Sequence, residues 1–350
     1  MVSGERSVER TFVIAEAGVN HDGSLDKALR LVDIAVEAGA DAVKFQTFRT
    51  DEVVTPDAAK AAYQQRQTGA GTQYEMIRAL ELDDAAHERL ARHCAERGIE
   101  FMSTPFAPWA VDMLLGLGMR RIKIASGEIV NKPLIDKVAG SGRPIILSTG
   151  MAEMAEVVRA VDWIRTAQSA AGIAMSPGDL VVLHCTSEYP APAASVNLRA
   201  MDTLAAALDV PVGYSDHSLG IEIAVAAVAR GAAVIEKHFT ENSRDHGPDH
   251  AASLEPAQLR AMVDAIRNVE VALGDGVKRP APLELPTRAL VRRSAFALTD
   301  INRGDRLDAT TIAFLRPGDG IGPERADWLF ARTAARDIAR GSKLCEDDIG

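Results

Sequence analysis

The chain has 350 residues, enough for one large core and a smaller appendage, and its 47% hydrophobic and 25% charged residues exclude disordered and fibrous classes. Its 39 Lys and Arg against 49 Asp and Glu give a net charge of -10, and with 5% aromatic residues this excludes a nucleic acid surface built on phosphate neutralisation or base stacking. Three scattered cysteines, Cys94, Cys185 and Cys345, make neither a disulfide framework nor a structural zinc site, and no apolar run is long and uncharged enough for a leader or a membrane span. A cytoplasmic protein with no membrane partner is expected.

Short β-branched runs then alternate with segments of helical period. The runs are FVIAEAG (12–18), AVKFQT (42–47), EFMSTP (100–105), RIKIAS (121–126), PIILSTG (144–150), LVVLHC (180–185), PVGYSDH (211–217) and AVIEKHF (233–239). Between them, residues 25–38, 85–97 and 152–171 repeat apolar residues at three and four, and a last helix is expected over 255–273. Eight βα units within residues 1–275 predict a (β/α)8 TIM barrel. A doubly wound open sheet is the alternative, but it needs a topological switch point and usually fewer strands. Glu16, Gln46, Thr104, Ser126, Ser148, Thr186, His217 and His238 fall at or just beyond strand C-termini, the functional face of such a barrel. Prolines and glycines make 276–292 a linker, and 293–350 reads as a small, mainly β domain. That tail repeats a pattern, Asp300-Ile301 with Gly304 and Leu307, then Asp337-Ile338 with Gly341 and Leu344.

Strand parity sorts the polar residues further. Ser215, His217, Glu236 and His238 share faces that can point into the barrel mouth, so two adjacent strands present two imidazoles side by side. Neutral imidazoles bind transition metals and leave positions open for a Lewis-acid role. Lys44 and Lys123 have inward parity on apolar strands, where a lysine needs a compensating anion. That anion is either a partner carboxylate, Glu16 or Glu128, or a bound phosphate or carboxylate. Hydroxyl-bearing turns at Ser103-Thr104, Ser126-Gly127, Ser148-Thr149-Gly150 and Ser215 favour a small anionic substrate. Glu16 and Glu128 stand equally as counter-ions or general bases. Asn20-His21 and Asp249-His250 are expected as solvated loop residues, and Cys185 as a buried, inert thiol.

In order along the chain, AEAGVNHDGS (15–24), VKFQT (43–47), STPF (103–106), KIASGE (123–128), ILSTGM (146–151), HCTSEYPAP (184–192), GYSDHS (213–218), EKHFT (236–240) and GPDH (247–250) closely resemble the bacterial sialic acid synthase family. That family includes N-acetylneuraminate, legionaminate and pseudaminate synthases and spore-coat polysaccharide relatives. The tail, with RPGDGIGP (316–323), resembles its antifreeze-like (SAF) domain. The resemblance implies condensation of phosphoenolpyruvate with an open-chain 2-acetamido hexose to give a nonulosonic acid and phosphate. It implies that Lys44, Thr104, Lys123, Ser126, Ser148 and Ser215 hold phosphoenolpyruvate. His217 and His238 would bind a divalent metal, Mn2+ or Mg2+, and Glu16 and Glu128 would lie near the reacting carbons and the attacking water. Gln73, Ser187, Tyr189, Glu236 and Asp249 would contact the amino-sugar aldehyde. Arg316 would reach the acetamido group in a neighbouring subunit's barrel, implying a domain-swapped homodimer.

Ser187, where neuraminate synthases often carry asparagine, and the charge spacing of Arg244 and His246 leave the acceptor open. N-acetylmannosamine, a 2,4-diacetamido-trideoxy hexose, or an unusual aldehyde of an antibiotic or nucleoside pathway all remain. Synthases acting on phosphorylated aldoses need a second cationic clamp, which the barrel loops lack. A non-catalytic scaffold leaves the paired lysines and histidines without a purpose, and a tail rich in Asp and Arg is a poor ice-binding surface.

Overall fold

The computed structural model describes residues 10–174 and 176–350. The first unit, ending at Asp275, is a ring of eight parallel strands, each followed by helical structure. They are β1 (Phe12–Gly18), β2 (Ala42–Thr47), β3 (Glu100–Pro105), β4 (Ile122–Ile124), β5 (Ile145–Ser148), β6 (Leu180–Cys185), β7 (Val212–Asp216) and β8 (Val234–His238). The eight-run reading therefore holds, with β4, β5, β7 and β8 trimmed at their ends. Hydrogen-bonded order runs β3-β2-β1-β8-β7-β6-β5-β4, and β3 packs against β4 to complete the ring.

Local sequence explains where elements start and stop. The helix Leu25–Ala38 begins where the Ser24 hydroxyl accepts the Lys27 amide and ends at Gly39, whose φ of 78° suits a residue without Cβ. Ala28, Leu31, Val32, Ala35 and Ala38 form its buried stripe. The helix Asp84–Arg97 starts in the same way, with the Asp83 carboxylate accepting the Ala86 amide at 2.8 Å.

Strand parity separates two cores. Ile14, Ala42, Met102, Ile146, Val181, Leu183 and Val234 fill the barrel interior, while the alternate residues pack outward against the helices. Gly213 points inward, and a Cβ there would stand 2.6 Å from the Leu183 side chain, so the crowded interior excludes one. One layer nearer the strand C-termini, the inward residues become polar: Glu16, Lys44, Thr104, Lys123, Ser148, Ser215 and Glu236.

Chain ends meet at the β1–β8 ladder, which pairs Phe12 with Val234 and Glu16 with His238. The Asn20 amide reinforces it, donating to the Phe239 carbonyl and the Ser253 hydroxyl at 2.8 Å each. Asn20, His21, Asp249 and His250 are 8% exposed or less, so the expectation of solvated loops is wrong for all four. His250 bridges the Thr240 hydroxyl and the Asp22 carboxylate.

The second unit spans Gly276–Gly350. The segment expected as plain linker is not featureless, since a short turn at Pro282–Glu284 leads into a helix, Leu285–Val291, with proline in its first turn. Strands β9 (Ser294–Ala297) and β10 (Ile312–Leu315) pair antiparallel over a small core. The repeated sequence pattern is a structural repeat. Ile301 bridges Ile338, the Asp300 carboxylate accepts the Arg340 amide, and the Asp337 carboxylate accepts the Arg303 amide, both at 2.8 Å. Among the described residues no helix is long and apolar enough to cross a membrane.

Candidate active site

A cavity of about 420 Å³ opens at the C-terminal ends of the barrel strands. Its floor is a charge cluster. Lys44 lies 2.6 Å from Glu16 and 2.9 Å from the Thr104 hydroxyl, and Lys123 donates to both oxygens of Glu236 at 2.7 and 2.8 Å. Lys44 also lies 3.7 Å from Glu236, and Ser215 donates to Glu236 at 3.0 Å. The expected counter-ion holds for Lys44, which pairs with Glu16, and needs correction for Lys123, which pairs with Glu236 across the barrel. Glu236, expected beside the sugar, lies on the floor between the two lysines.

The cluster is not electrostatically complete. Burial pushes Glu16 up to about 7 against the pull of Lys44, while Lys123 and Lys44 overcome the burial of Glu236 and hold it well below the usual carboxylate range. Beside it, the buried Ser148 hydroxyl has no partner. Gly150 donates its amide to the Ser126 hydroxyl at 2.9 Å, and a Cβ on Gly150 would strike Ser187 and Ser126. Bare backbone, free hydroxyl and paired ammonium groups form an anion cradle.

His217 and His238 stand over this floor with ring centroids 5.4 Å apart. Nδ1 of His217 donates to the Thr186 carbonyl at 2.7 Å, which in a neutral ring leaves the lone pair on Nε2. His238 Nδ1 is buried with no hydrogen-bond partner, 3.9 Å from the Asp249 carboxylate, and burial keeps the ring neutral. Two facing imidazoles, one with an orphaned buried nitrogen, and a nearby carboxylate offer a donor set that fits a divalent cation. Gly18 makes room for them, having a φ of 52° and leaving only 3.2 Å between an added Cβ and the His238 ring. A second grouping, Asp22, Asp245 and His250, also gathers ligand atoms, but Lys27 already bridges Asp22 and Asp245 at 2.6 and 2.8 Å.

Of the expected sugar contacts, Gln73, Ser187 and Tyr189 line the same cavity, and Tyr189 lays its ring 4.1 Å from that of His217. Asp249 borders an adjoining chamber, with its carboxyl raised by burial to about 6. Glu128 does not line the cavity and accepts a hydrogen bond from Asn131 at 2.6 Å. Arg316 is an exposed residue of the second unit. The thiol of Cys185, expected to lack any activating neighbour, lies 3.8 Å from His217 Nδ1; burial alone would raise it, but His217 draws it below the ordinary thiol value. Sequence reading missed Tyr63 and Gln64 on the cavity wall. The signal available was length, since the stretch between β2 and the helix Asp84–Arg97 far exceeds an ordinary βα connection.

A parallel barrel whose mouth gathers buried lysines, an unpartnered hydroxyl and two facing imidazoles has the layout of an enzyme active site. The chain belongs to the NeuB family, whose match covers residues 31–278, and residues 292–350 match the SAF domain. It is 46% identical over 339 residues to the N,N'-diacetyllegionaminic acid synthase of Legionella pneumophila, covering 97% of this chain and 94% of that one. It is 35% identical over 339 residues to the N-acetylneuraminate-9-phosphate synthase of Homo sapiens, covering 96% and 92%. Among solved structures, the N-acetylneuraminic acid synthetase of Leptospira borgpetersenii in complex with citrate superposes with a TM-score of 0.69 at 33% identity, over 80% of this chain and 90% of that one.

Proposed function

We propose that this chain is a transferase that condenses phosphoenolpyruvate with an open-chain 2-acetamido hexose and water, releasing phosphate and a nonulosonic acid. The observation that carries the reading is the juxtaposition of the Lys44–Lys123 cradle and its unpartnered Ser148 hydroxyl with the His217–His238 pair. The lysines, with Thr104, Ser126, Ser148 and Ser215, bind the carboxylate and phosphate of phosphoenolpyruvate. His217 and His238 would hold Mn2+ or Mg2+, which would polarise the sugar aldehyde. The methylene carbon of phosphoenolpyruvate forms a bond to the aldehyde carbon, whose oxygen takes a proton. The electron-poor carbon left behind is captured by water, which gives up one proton, and the bond to the phosphate oxygen then breaks as the new hydroxyl passes its remaining proton to the departing phosphate, leaving the ketone.

Two carboxylates are available for the water's proton. Glu16 lines the cavity and is held near neutrality by burial, whereas Glu128 lies outside the lining with one oxygen engaged by Asn131. Gln73, Ser187, Tyr189 and Asp249 contact the acceptor. Arg316 completes the acetamido pocket of another subunit, so the working enzyme is a domain-swapped homodimer in the cytoplasm.

Phosphate release from phosphoenolpyruvate with Mn2+ tests the reading across N-acetylmannosamine, its 6-phosphate, 2,4-diacetamido-trideoxy hexoses and arabinose 5-phosphate. Release that depends on an acetamido sugar and is abolished by EDTA is expected. Release only with arabinose 5-phosphate, or none with any acceptor, overturns it.

A further inference from the structure

One buried imidazole takes no part in the chemistry above. His87, 1% exposed in the first turn of the helix Asp84–Arg97, lies behind β2 and β3, on the side of the strands away from the cavity. Its Nδ1 donates to the Asp83 carbonyl at 2.9 Å, since a carbonyl only accepts, and in a neutral ring this leaves Nε2 as an acceptor. The Thr47 hydroxyl, 2.9 Å from Nε2, therefore donates to it, and in turn accepts the Ser103 hydroxyl at 2.7 Å. One ring thus sets the direction of two hydroxyls, one on each strand. Both are fully buried in a shell between strands and helices that is largely apolar, where aliphatic side chains would fill the same volume with no polar group to satisfy.

The place of this staple matters because the ring of strands has a seam. β3 and β4 end the hydrogen-bonded order and pack side by side with no ladder between them among the described residues. Phe106 donates its amide to the Thr47 carbonyl at 3.2 Å, so by the alternation of a parallel ladder the Ser103 amide faces away from β2, towards β4. There it meets the Met119 sulfur at 3.3 Å, and Pro105, the next residue of that parity, has no amide hydrogen to give. β3 is therefore fastened from the β2 side. Its inward residue Thr104 is in register with Gln46 and accepts Lys44 at 2.9 Å, while Lys123 of β4 lines the cavity on the other side of the seam. Resting on the reading that Lys44 and Thr104 bind phosphoenolpyruvate, we propose that His87 is a positioning residue for that substrate. By orienting Thr47 and Ser103 it ties β3 to β2 from behind, and so fixes where Thr104 stands against Lys44 in the cradle.

The test uses the full chain with Mn2+. Phosphate release is followed with phosphoenolpyruvate and the best acetamido sugar varied in turn, and phosphoenolpyruvate alone is titrated by calorimetry. His87→Leu, which offers Thr47 no acceptor, should raise the Kd and KM for phosphoenolpyruvate about 3- to 10-fold, the worth of one buried hydrogen bond, with kcat at saturation and the sugar KM within about 2-fold of the parent. Thr47→Val, nearly the same in shape, breaks the relay from the strand side and should do the same, so that one variant remains if the other misfolds. His87→Gln, whose side-chain carbonyl can take the Thr47 proton, should bring phosphoenolpyruvate affinity back to within about 2-fold of the parent. A role in packing alone would lower the amount of active enzyme and leave both KM values where they were. Phosphoenolpyruvate affinity unmoved by both His87→Leu and Thr47→Val, a loss shared equally with the sugar, or a loss that His87→Gln does not reverse overturns this proposal alone. A parent chain that binds no phosphoenolpyruvate overturns the condensation reading and this one with it.

Discussion

Adjacent residues of β8 carry opposite charges to opposite sides of the strand, and their surroundings contrast. Lys237 points outward and is fully buried against Asp216, equally buried, at 2.8 Å. Asp216 also accepts the Ser218 amide at 2.9 Å and the Ser218 hydroxyl at 2.6 Å, and Lys237 donates to the Ser218 carbonyl. Every charge there has its partner. Glu236, one residue earlier and pointing inward, shares two lysines in a cluster whose other carboxylate is pushed towards neutrality and whose neighbouring hydroxyl is orphaned. Buried charge alone does not mark a reactive site. Completed charge is scaffold, and incomplete charge facing a cavity is where a ligand finishes the set.

The sharpest way to break the contrast is on the scaffold side. Lys237→Met strands the Asp216 carboxylate in a sealed space and should cost about 3–5 kcal/mol in urea unfolding, whereas the double replacement Asp216→Leu/Lys237→Met should recover most of that loss. A double variant as unstable as the single one would show that these charges do more than satisfy each other. On the cavity side, Lys123→Met should weaken phosphoenolpyruvate binding about 100-fold in calorimetric titration while destabilising the protein less than half as much as Lys237→Met, because cavity water reaches Glu236. Equal losses of stability would erase the distinction. Gly18→Ala, forced into a left-handed backbone against the His238 ring, should lower stability by about 1–2 kcal/mol and weaken Mn2+ binding measured by paramagnetic resonance of the free ion. Smallest of all, Ser148→Ala should leave stability within about 0.5 kcal/mol of the parent, since it removes a buried hydroxyl that has no partner, yet weaken phosphoenolpyruvate about 10-fold.

The same contrast explains what could be read from the sequence. Period-two parity turned Lys44, Lys123, Ser215, Glu236, His217 and His238 into the barrel mouth, because side-chain alternation is local and needs no tertiary information. Which residues meet across the ring is not local. The Lys123–Glu236 pair joins β4 to β8, strands far apart in the hydrogen-bonded order, so neighbouring carboxylates in the sequence were the wrong partners to expect. Asp216 and Lys237 passed unremarked inside the motifs whose outer residues drew attention, although parity alone turns them to the back. The buried loop residues Asn20 and His250 escaped because their partners, Phe239 and Asp22, lie more than 200 positions away. In the tail, by contrast, the Asp-Ile…Gly…Leu repeat was visible as sequence and returned as reciprocal aspartate caps.

The β1–β8 ladder carries a consequence for biosynthesis. Glu16 and His238 are register partners separated by the synthesis of nearly the whole barrel, which takes roughly 10–40 s at translation rates on the order of 5–20 residues per second. Throughout that interval the β8-facing edge of β1 has no native mate, exposing an apolar strand to the ribosome surface and to chaperones. Because that last ladder also brings His238 up to the cavity, the cavity mouth stays incomplete until residue 238 has been made, after the other seven strands.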